Sequence, residues 1–293
     1  MSRRAAGLPE GEAKVRAVDD MFDAIAPRYD TLNRILTMRM DVGWRKRTVR
    51  SLHLGQGAMV LDLACGTGDL CRVLVDAGYR PVGVDRSAGM LAAARTSAPL
   101  VRGDALAMPM ADGSVDGIVC GFALRNVLGL DLFLAECARV LRPGGRVALL
   151  EVAVPDNRVL RAGHRVYFGK VVPFVGGLLS DRAAYRYLPQ SVAYLPPVPA
   201  VLGMMAAAGF ADAARRALSG GIAQLLTGTR GPTTTPRNST QEGATARTDR
   251  LSGSTAATAP AASTPRNDTQ EGATARTDRR PGSAATPPGA GGT

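Results

Sequence analysis

The stretch AMVLDLACGTGD, residues 58–69, decides how the rest of the chain reads. Its first half, AMVLDL at 58–63, is a short apolar run of the kind that forms a strand buried on both faces of a parallel sheet. It leads directly into a glycine-rich turn, Cys65-Gly66-Thr67-Gly68, and then into an amphipathic stretch. From Asp69 to residue 77, Leu70, Val73, Leu74 and Ala77 fall on one helical stripe, and Gly78 follows as a C-terminal cap. A strand, a glycine turn and a helix in that order let a ligand approach the backbone closely.

The alternation continues outward. Further strands are predicted at 81–84, 100–103, 115–121 and 146–152, and the last two at 211–217 and 222–227. Ser87 caps a helix over 88–95, and Asp131 caps one that runs to 141 and stops at Pro143-Gly144-Gly145. Repeated β-α-β units imply an α/β fold of the Rossmann-like type, a doubly wound and mostly parallel sheet.

Composition narrows the function classes. The chain has 293 residues, with 36 Lys plus Arg against 25 Asp plus Glu, a formal net charge of +11. Lys14, Lys46 and Lys170 are the only lysines, an Arg-for-Lys bias that reads as GC-rich coding rather than chemistry. The basic residues are mostly spread out and are not interleaved with aromatics, so nucleic acid is not an expected partner. No apolar run reaches the roughly 18 residues that a membrane span needs. The opening MSRRAAGLPEGEAK lacks the apolar core of a secretory signal. Cys65, Cys71, Cys120 and Cys137 have no zinc-type spacing and suggest no disulfide framework, so no metal site is expected and the setting reads as a reducing cytoplasm.

Three segments are expected: a flexible N-terminus at 1–14, a single domain at 15–230, and a disordered tail at 231–293. The tail holds one large aliphatic residue, Leu251, and no aromatic, too little apolar surface to offset the entropy of ordering. It contains a near-exact duplication, TPRNSTQEGATARTDR at 235–250 and TPRNDTQEGATARTDR at 264–279. The repeat has no apolar face to stack, which argues against a solenoid. Asn238 and Asn267 lie in N-x-T sequons that a cytoplasmic chain does not use.

Two ligand classes compete for the glycine turn. A dinucleotide site wants G-x-G-x-x-G, but Cys71 stands at the third glycine position. Asp62 and Asp69 around the turn would also repel a diphosphate. S-adenosylmethionine carries no phosphate but an ammonium, a sulfonium and a carboxylate. Acidic side chains near the turn suit its cationic groups, and backbone N–H groups suit its carboxylate. The charge pattern therefore favours the methyl donor over NAD. Asp62, Gly66, Thr67 and Gly68 form the turn itself. Asp85, at the end of the second strand, can accept both ribose hydroxyls in either class. Asp104 and Ala105, after the third strand, can pair with an adenine edge. Taken singly, each acidic residue is equally well read as a turn or cap residue.

Three further stretches carry a family resemblance. YDTLNRILT at 29–37 with DVGW at 41–44, FALRNV at 122–127, and RVLRPGGRVALLEVA at 139–153 together resemble the ubiquinone/menaquinone biosynthesis C-methyltransferases, a class I methyltransferase family. The resemblance covers about residues 15 to 230. Leu32, Thr37, Asp41, Ala123 and Ala153 depart from the family pattern, and Asp41 replaces a histidine. For that reason Asp41 receives no proton-transfer role.

The resemblance implies a seven-stranded sheet and methyl transfer from S-adenosylmethionine to a ring carbon of a polyprenylated quinol, as in the last step of menaquinone biosynthesis. By association with high-GC bacterial members, the naphthoquinol branch is favoured over the benzoquinol branch. Arg125 and Asn126 are the catalytic candidates: Arg125 to stabilise the developing phenolate, Asn126 to orient the ring oxygen. An arginine is a poor base unaided, so the base stays unassigned. A structural ion pair at a strand end is the competing reading of Arg125. Gly121 joins the donor set. Tyr29, Asp30 and Asn33 are read as a lid, and Tyr185 and Tyr187 as completing the acceptor pocket.

Residues 155–200 form a substrate-side insertion. The run VYFGKVVPFVGGLL at 166–179, with Arg161, Arg165 and Lys170 nearby, is too short to span a bilayer. It reads as a mouth for an isoprenoid chain, as a surface for peripheral membrane contact, or as an ordinary buried helix pair. His53 and His164 lie near no motif and are read as incidental. A homodimer is a candidate assembly. A catalytically silent, donor-binding scaffold is the alternative of another class, against which the intact glycine turn and Arg125-Asn126 argue.

Overall fold

In the computed structural model, residues 11–172 and 191–232 are described. The expected disordered tail, Tyr185 and Tyr187 lie outside those residues. The strands are β1 Met59–Leu63, β2 Arg80–Asp85, β3 Leu100–Arg102, β4 Val115–Gly121, β5 Leu141–Val152, β6 Phe210–Leu218 and β7 Ala223–Arg230. They form one seven-stranded sheet in the order β3-β2-β1-β4-β5-β7-β6. Pairing is parallel from β3 to β5, whereas β7 runs antiparallel to both β5 and β6. Strand order reverses between β1 and β4, the place where open α/β sheets leave a crevice for ligands.

The helices are α1 Gly11–Ile25, α2 Tyr29–Leu36, α3 Met40–Arg50, α4 Asp69–Asp76, α5 Ala88–Ala92, α6 Leu130–Val140, α7 Arg158–Val166 and α8 Val198–Ala207. Side chains alternate across the sheet, and both faces are covered. Leu61 and Leu63 of β1, Ile118 and Cys120 of β4, and Val147 and Leu149 of β5 pack on one side with α6 and α8. Val60, Val119, Ala148 and Leu150 pack on the other with Trp44, Val49, Leu70 and Leu74. A strand buried on both sides has no polar face, which is why β1, β4 and β5 read as continuous apolar runs. Helix α6 shows the matching period of a helix, burying Leu130, Phe133, Leu134, Cys137 and Ala138. A third cluster, with Ile25, Leu32, Leu36 and Met90, forms above the C-terminal ends of the strands.

The sheet bears out the predicted class, and the elements differ from prediction at their ends. Gly129, at φ +74°, precedes α6 in the cap position expected for Asp131, which lies in the first turn. Strand β5 starts five residues early, because Leu141 already pairs with Val115. Pro143-Gly144-Gly145 is a bulge within the strand, and the register resumes at Arg146 opposite Gly117. A Cβ on Gly145 would lie 2.8 Å from the Arg142 carbonyl oxygen, so only glycine fits there. Helix α5 ends at Ala92 rather than 95. Residues 11–14, expected in the flexible N-terminus, open α1, and Lys14 is buried there. Among the described residues, no helix is long and apolar enough to cross a membrane.

Phe133 is fully buried between α6 and the sheet, whereas its neighbour Leu132 is exposed. Phe133→Ala is expected to lower unfolding stability by about 3–5 kcal/mol. Leu132→Ala should stay within about 0.5 kcal/mol. Urea unfolding followed by circular dichroism reads both, and equal effects would contradict this packing.

Candidate active site

The turn after β1 is held from both sides. Gly66 and Gly68 take φ +53° and +81°, left-handed values that glycine adopts without strain. A Cβ on Gly68 would come within 2.7 Å of the Thr96 methyl. The Gly66 N–H donates to Asp85 Oδ2 at 2.7 Å, and the Ser87 N–H donates to Asp85 Oδ1 at 2.8 Å. Asp85 thus ties the glycine turn to the start of α5. Burial holds its carboxyl above the usual range, opposed by these N–H donors.

Behind the turn, Asp62 points to the α4 side of the sheet, where its neighbours on β1 are apolar. Its Oδ2 accepts from the Cys71 N–H at 3.1 Å and the Cys71 thiol at 3.3 Å. Its Oδ1 is buried with no hydrogen-bond partner among the described residues. Burial pushes the carboxyl up to about 7. The Thr67 hydroxyl donates to Asp30 of α2, and Asp30 pairs with Arg72 of α4 at 3.5 Å. Asp69 is enclosed by Arg72, by Arg34 at 3.0 Å and by Arg45 at 3.2 Å. This charged cluster fastens α2 and α3 to the glycine turn.

Two cavities open above the strand ends. The first, about 230 Å³, is lined by Gly66, Asp85, Asp104, Ala105, Gly121 and Asn126, with α1 over it. Asp104 pairs with Arg86 at 2.9 Å. Asp62, Thr67, Gly68 and Asp30 do not line it; they shape the turn from behind. The second cavity, about 460 Å³, is mainly apolar and is lined by Asn33, Asp41, Trp44, Arg125, His164 and Tyr167, among others. Phe22, Tyr29 and Phe122 line both cavities. Phe122 is held at φ +61°, a conformation that costs a phenylalanine energy and turns its ring towards Trp44 and Arg45.

Arg125 sits in the turn between β4 and α6 and is 5% exposed. Its guanidinium donates to Glu151 at 2.5 Å, to the Phe122 carbonyl at 2.6 Å and to the Ser191 hydroxyl at 3.0 Å. Its own carbonyl accepts from Lys14 Nζ at 2.9 Å. Lys14 lies over the Tyr194 ring, and burial next to the Arg125 charge pulls its pKa down. The ion-pair reading of Arg125 is therefore realised, and the same residue still lines the second cavity. Breaking a buried pair by removing one partner typically costs about 3–5 kcal/mol.

Several residues in this region escaped the sequence reading. Glu151 was noted only as part of a motif, Lys14 only as one of three lysines, and Asp69 only for its charge beside the glycine turn. Asp41 is fully buried, paired with Arg45, and accepts from the Thr37 hydroxyl at 2.7 Å. His164, read as incidental, lines the second cavity. A signal for it existed: Leu160, His164, Tyr167 and Phe168 recur at the spacing of one helical face.

Asp62 ties stability to pH. A carboxyl raised from 3.8 to about 7 in the folded chain holds a proton that the unfolded chain releases. Stability therefore falls as pH rises from about 4 through 7, and the loss is complete above 7. Asp62→Asn removes this dependence while still offering an oxygen to Cys71. Its stability advantage over the natural protein is expected to grow by about 2–4 kcal/mol between pH 5 and pH 8. Urea titrations at the two pH values test this, and a constant difference would contradict it.

Comparison with known proteins follows the same geometry. A family model described as the ubiE/COQ5 methyltransferase family matches residues 10–230. A ubiquinone/menaquinone biosynthesis C-methyltransferase of Syntrophotalea carbinolica is 42% identical over 219 residues, covering 72% of this chain and 92% of that protein. A demethylmenaquinone methyltransferase of Thermus thermophilus is 42% identical over 220 residues, covering 72% of this chain and all of that one. Among solved structures, a SAM-dependent methyltransferase from Thermotoga maritima superposes with a TM-score of 0.52 at 19% identity, covering 72% of this chain and 98% of its own. That likeness is one of fold. The match over the whole described region shows that this chain belongs to the ubiE/COQ5 methyltransferase family and is an S-adenosylmethionine-dependent C-methyltransferase.

Proposed function

We propose that this chain methylates a ring carbon of a polyprenylated quinol, converting demethylmenaquinol to menaquinol. The observation that carries this reading is the pair of cavities that share Tyr29 and Phe122: one edged by carboxylates, the other large and apolar. The quinone names of the relatives agree with it. The residues present fit the donor. Gly66 and Gly121 leave room for it, Asp85 is positioned at a strand end to take ribose hydroxyls, and Asp104 with Ala105 to read the adenine edge. When bound, the donor supplies a methyl group already activated on a sulfonium.

The chain's own residues then have positioning work. Tyr29 and Asn33, on the lid helix α2, close over the acceptor, and Asp30 locks that helix to the glycine turn. Asn126 lines the donor cavity from the turn that carries Arg125, so the two face the reaction from opposite cavities. Arg125, its charge balanced by Glu151, supports negative charge on the acceptor oxygen. Holding ring carbon and methyl in line is the main demand, because the methyl donor is already reactive. We assign this chemistry to one domain at residues 15–230 and place residues 155–172 of the insertion on the substrate side.

A long polyprenyl substrate calls for access to a membrane. Val159 and Val166 of α7, with Val171 just after it, are exposed beside Arg158, Arg161, Arg165 and Lys170. Apolar tips flanked by basic residues suit the cytoplasmic face of an anionic bilayer. The homodimer is kept as a candidate assembly, read by light scattering. Co-sedimentation with phosphatidylglycerol vesicles should fall several-fold in an Arg158→Glu, Arg165→Glu double variant. Undiminished binding would remove α7 from the contact.

The decisive experiment offers radiolabelled donor and two reduced acceptors, a demethylmenaquinol and a demethoxy-benzoquinol analogue. Label is expected in the naphthoquinol at least tenfold faster. Preference for the benzoquinol would overturn the branch. Label in neither would overturn the quinol reading altogether.

A further inference from the structure

The second cavity needs a group that can take a proton from the acceptor's hydroxyl, and its polar lining narrows the choice. Arg125 is committed to Glu151, Ser191 and the Phe122 carbonyl, and an arginine gives up its proton too reluctantly. Asp41 is locked between Arg45 and Thr37. Tyr167 donates its hydroxyl to the Leu36 carbonyl at 2.6 Å, which leaves no acidic partner for it. Burial raises the Tyr29 hydroxyl further above neutrality.

His164 differs from all of these. It lines the cavity, its ring stacks on Phe168 at 4.2 Å between centroids, and its Nε2 is buried with no hydrogen-bond partner among the described residues. A buried ring nitrogen without a partner is unfavourable unless a ligand supplies one. Stacking on Phe168 also restrains the ring without using either nitrogen. Burial lowers the imidazole pKa from 6.5, so the neutral form prevails at pH 7.

We propose that His164 is the general base of the reaction, receiving at Nε2 the proton of the quinol hydroxyl next to the carbon that is methylated. The proposal rests on the quinol reading above. The O–H bond breaks, its proton passes to Nε2, and its electron pair stays on oxygen. A ring π pair of the adjacent carbon then forms the new C–C bond to the methyl group. The methyl–sulfur bond breaks with its pair left on sulfur, which ends as a neutral thioether. The ring carbon then loses its hydrogen as a proton to water, the C–H pair restores the aromatic ring, and the oxygen takes back the proton from Nε2, so one proton is released per methyl transferred. Arg125 lines the same cavity and brings positive charge to the space where the oxygen becomes negative.

The pH behaviour follows from the groups around His164. Those that line the cavity with it are Tyr29 on α2, Asp41 on α3, Arg125 after β4 and Tyr167 just beyond α7. Arg161 and Arg165 lie on its own helix. Asp41 and Arg125 are already paired, and the tyrosines titrate well above neutrality. Asp62, behind the glycine turn, also titrates at about 7, so the limb that belongs to His164 is the one its replacement removes.

The test compares the natural protein with His164→Gln, which keeps a polar side chain of similar reach but takes no proton. The measurements are kcat from pH 5 to 9 with a demethylmenaquinol, and donor affinity by calorimetry. The expected result is a kcat lower by about 10²–10³-fold at pH 7. The acidic limb should vanish, and donor affinity should stay within twofold. A variant within threefold of the natural kcat that keeps the acidic limb overturns the proposal. If the natural protein labels no quinol, the quinol reading fails first, and that outcome is distinct. A second measurement needs no variant. Titration of His164 by nitrogen NMR with a hydroxynaphthalene acceptor analogue, in the intact protein, should show a shifted pKa and a new hydrogen bond at Nε2. An unchanged Nε2 signal in the saturated complex also overturns the proposal.

Discussion

The buried ion pair between Arg125 and Glu151 is the interaction on which the upper half of the molecule depends. It joins the end of β5 to the turn that follows β4, and it draws in two distant elements. Ser191 reaches Arg125 from within the insertion, and Lys14 reaches its carbonyl from α1. Three of these four side chains carry charge, and all are buried. Removing such charges from water is costly, so the arrangement survives only because each has a partner. Once satisfied, it fixes where the strand ends, α1 and the return from the insertion meet. The walls of both cavities follow from that meeting point.

A second charged cluster does similar work on the other side of the glycine turn. Asp69 gathers Arg34, Arg45 and Arg72, and Asp30 adds the Thr67 hydroxyl. The effect is to fix α2 and α3 against a turn that is otherwise made of glycine. Tyr29 and Phe122 then stand between an acidic space and an apolar one. An aromatic wall thus separates a carboxylate-edged space from a mainly apolar one. Exclusion of water also strengthens every charge interaction inside.

Much of this was legible before any coordinates. The run AMVLDL, the glycine turn and the stripe from Leu70 to Leu74 carry their own periodicities, and these are local properties. The same holds for Ser87, whose side chain accepts from the Met90 N–H in the cap predicted for it. Element ends were less legible because they depend on pairing. Nothing near Leu141 announces that it lies opposite Val115, so β5 read as starting after the glycines rather than before them. The cap of α6 failed for a related reason: a glycine with a left-handed backbone stands where an aspartate was the natural choice.

The site divides along the same line. The sequence by itself determined the β-α-β order, the glycine turn and the acidic residues at successive strand ends, because strand ends in this topology converge wherever they occur in the chain. Only the tertiary structure decided which of those residues face a cavity. Asp62 and Thr67 turn out to shape the loop from behind, since a side chain's direction depends on what packs against it. Only the tertiary structure, too, brought His164 to the second, apolar cavity and Glu151 to Arg125. Glu151 and Arg125 lie far apart in sequence and share no local pattern, and the helical spacing of Leu160, His164, Tyr167 and Phe168 marks a face without marking the cavity that the face meets.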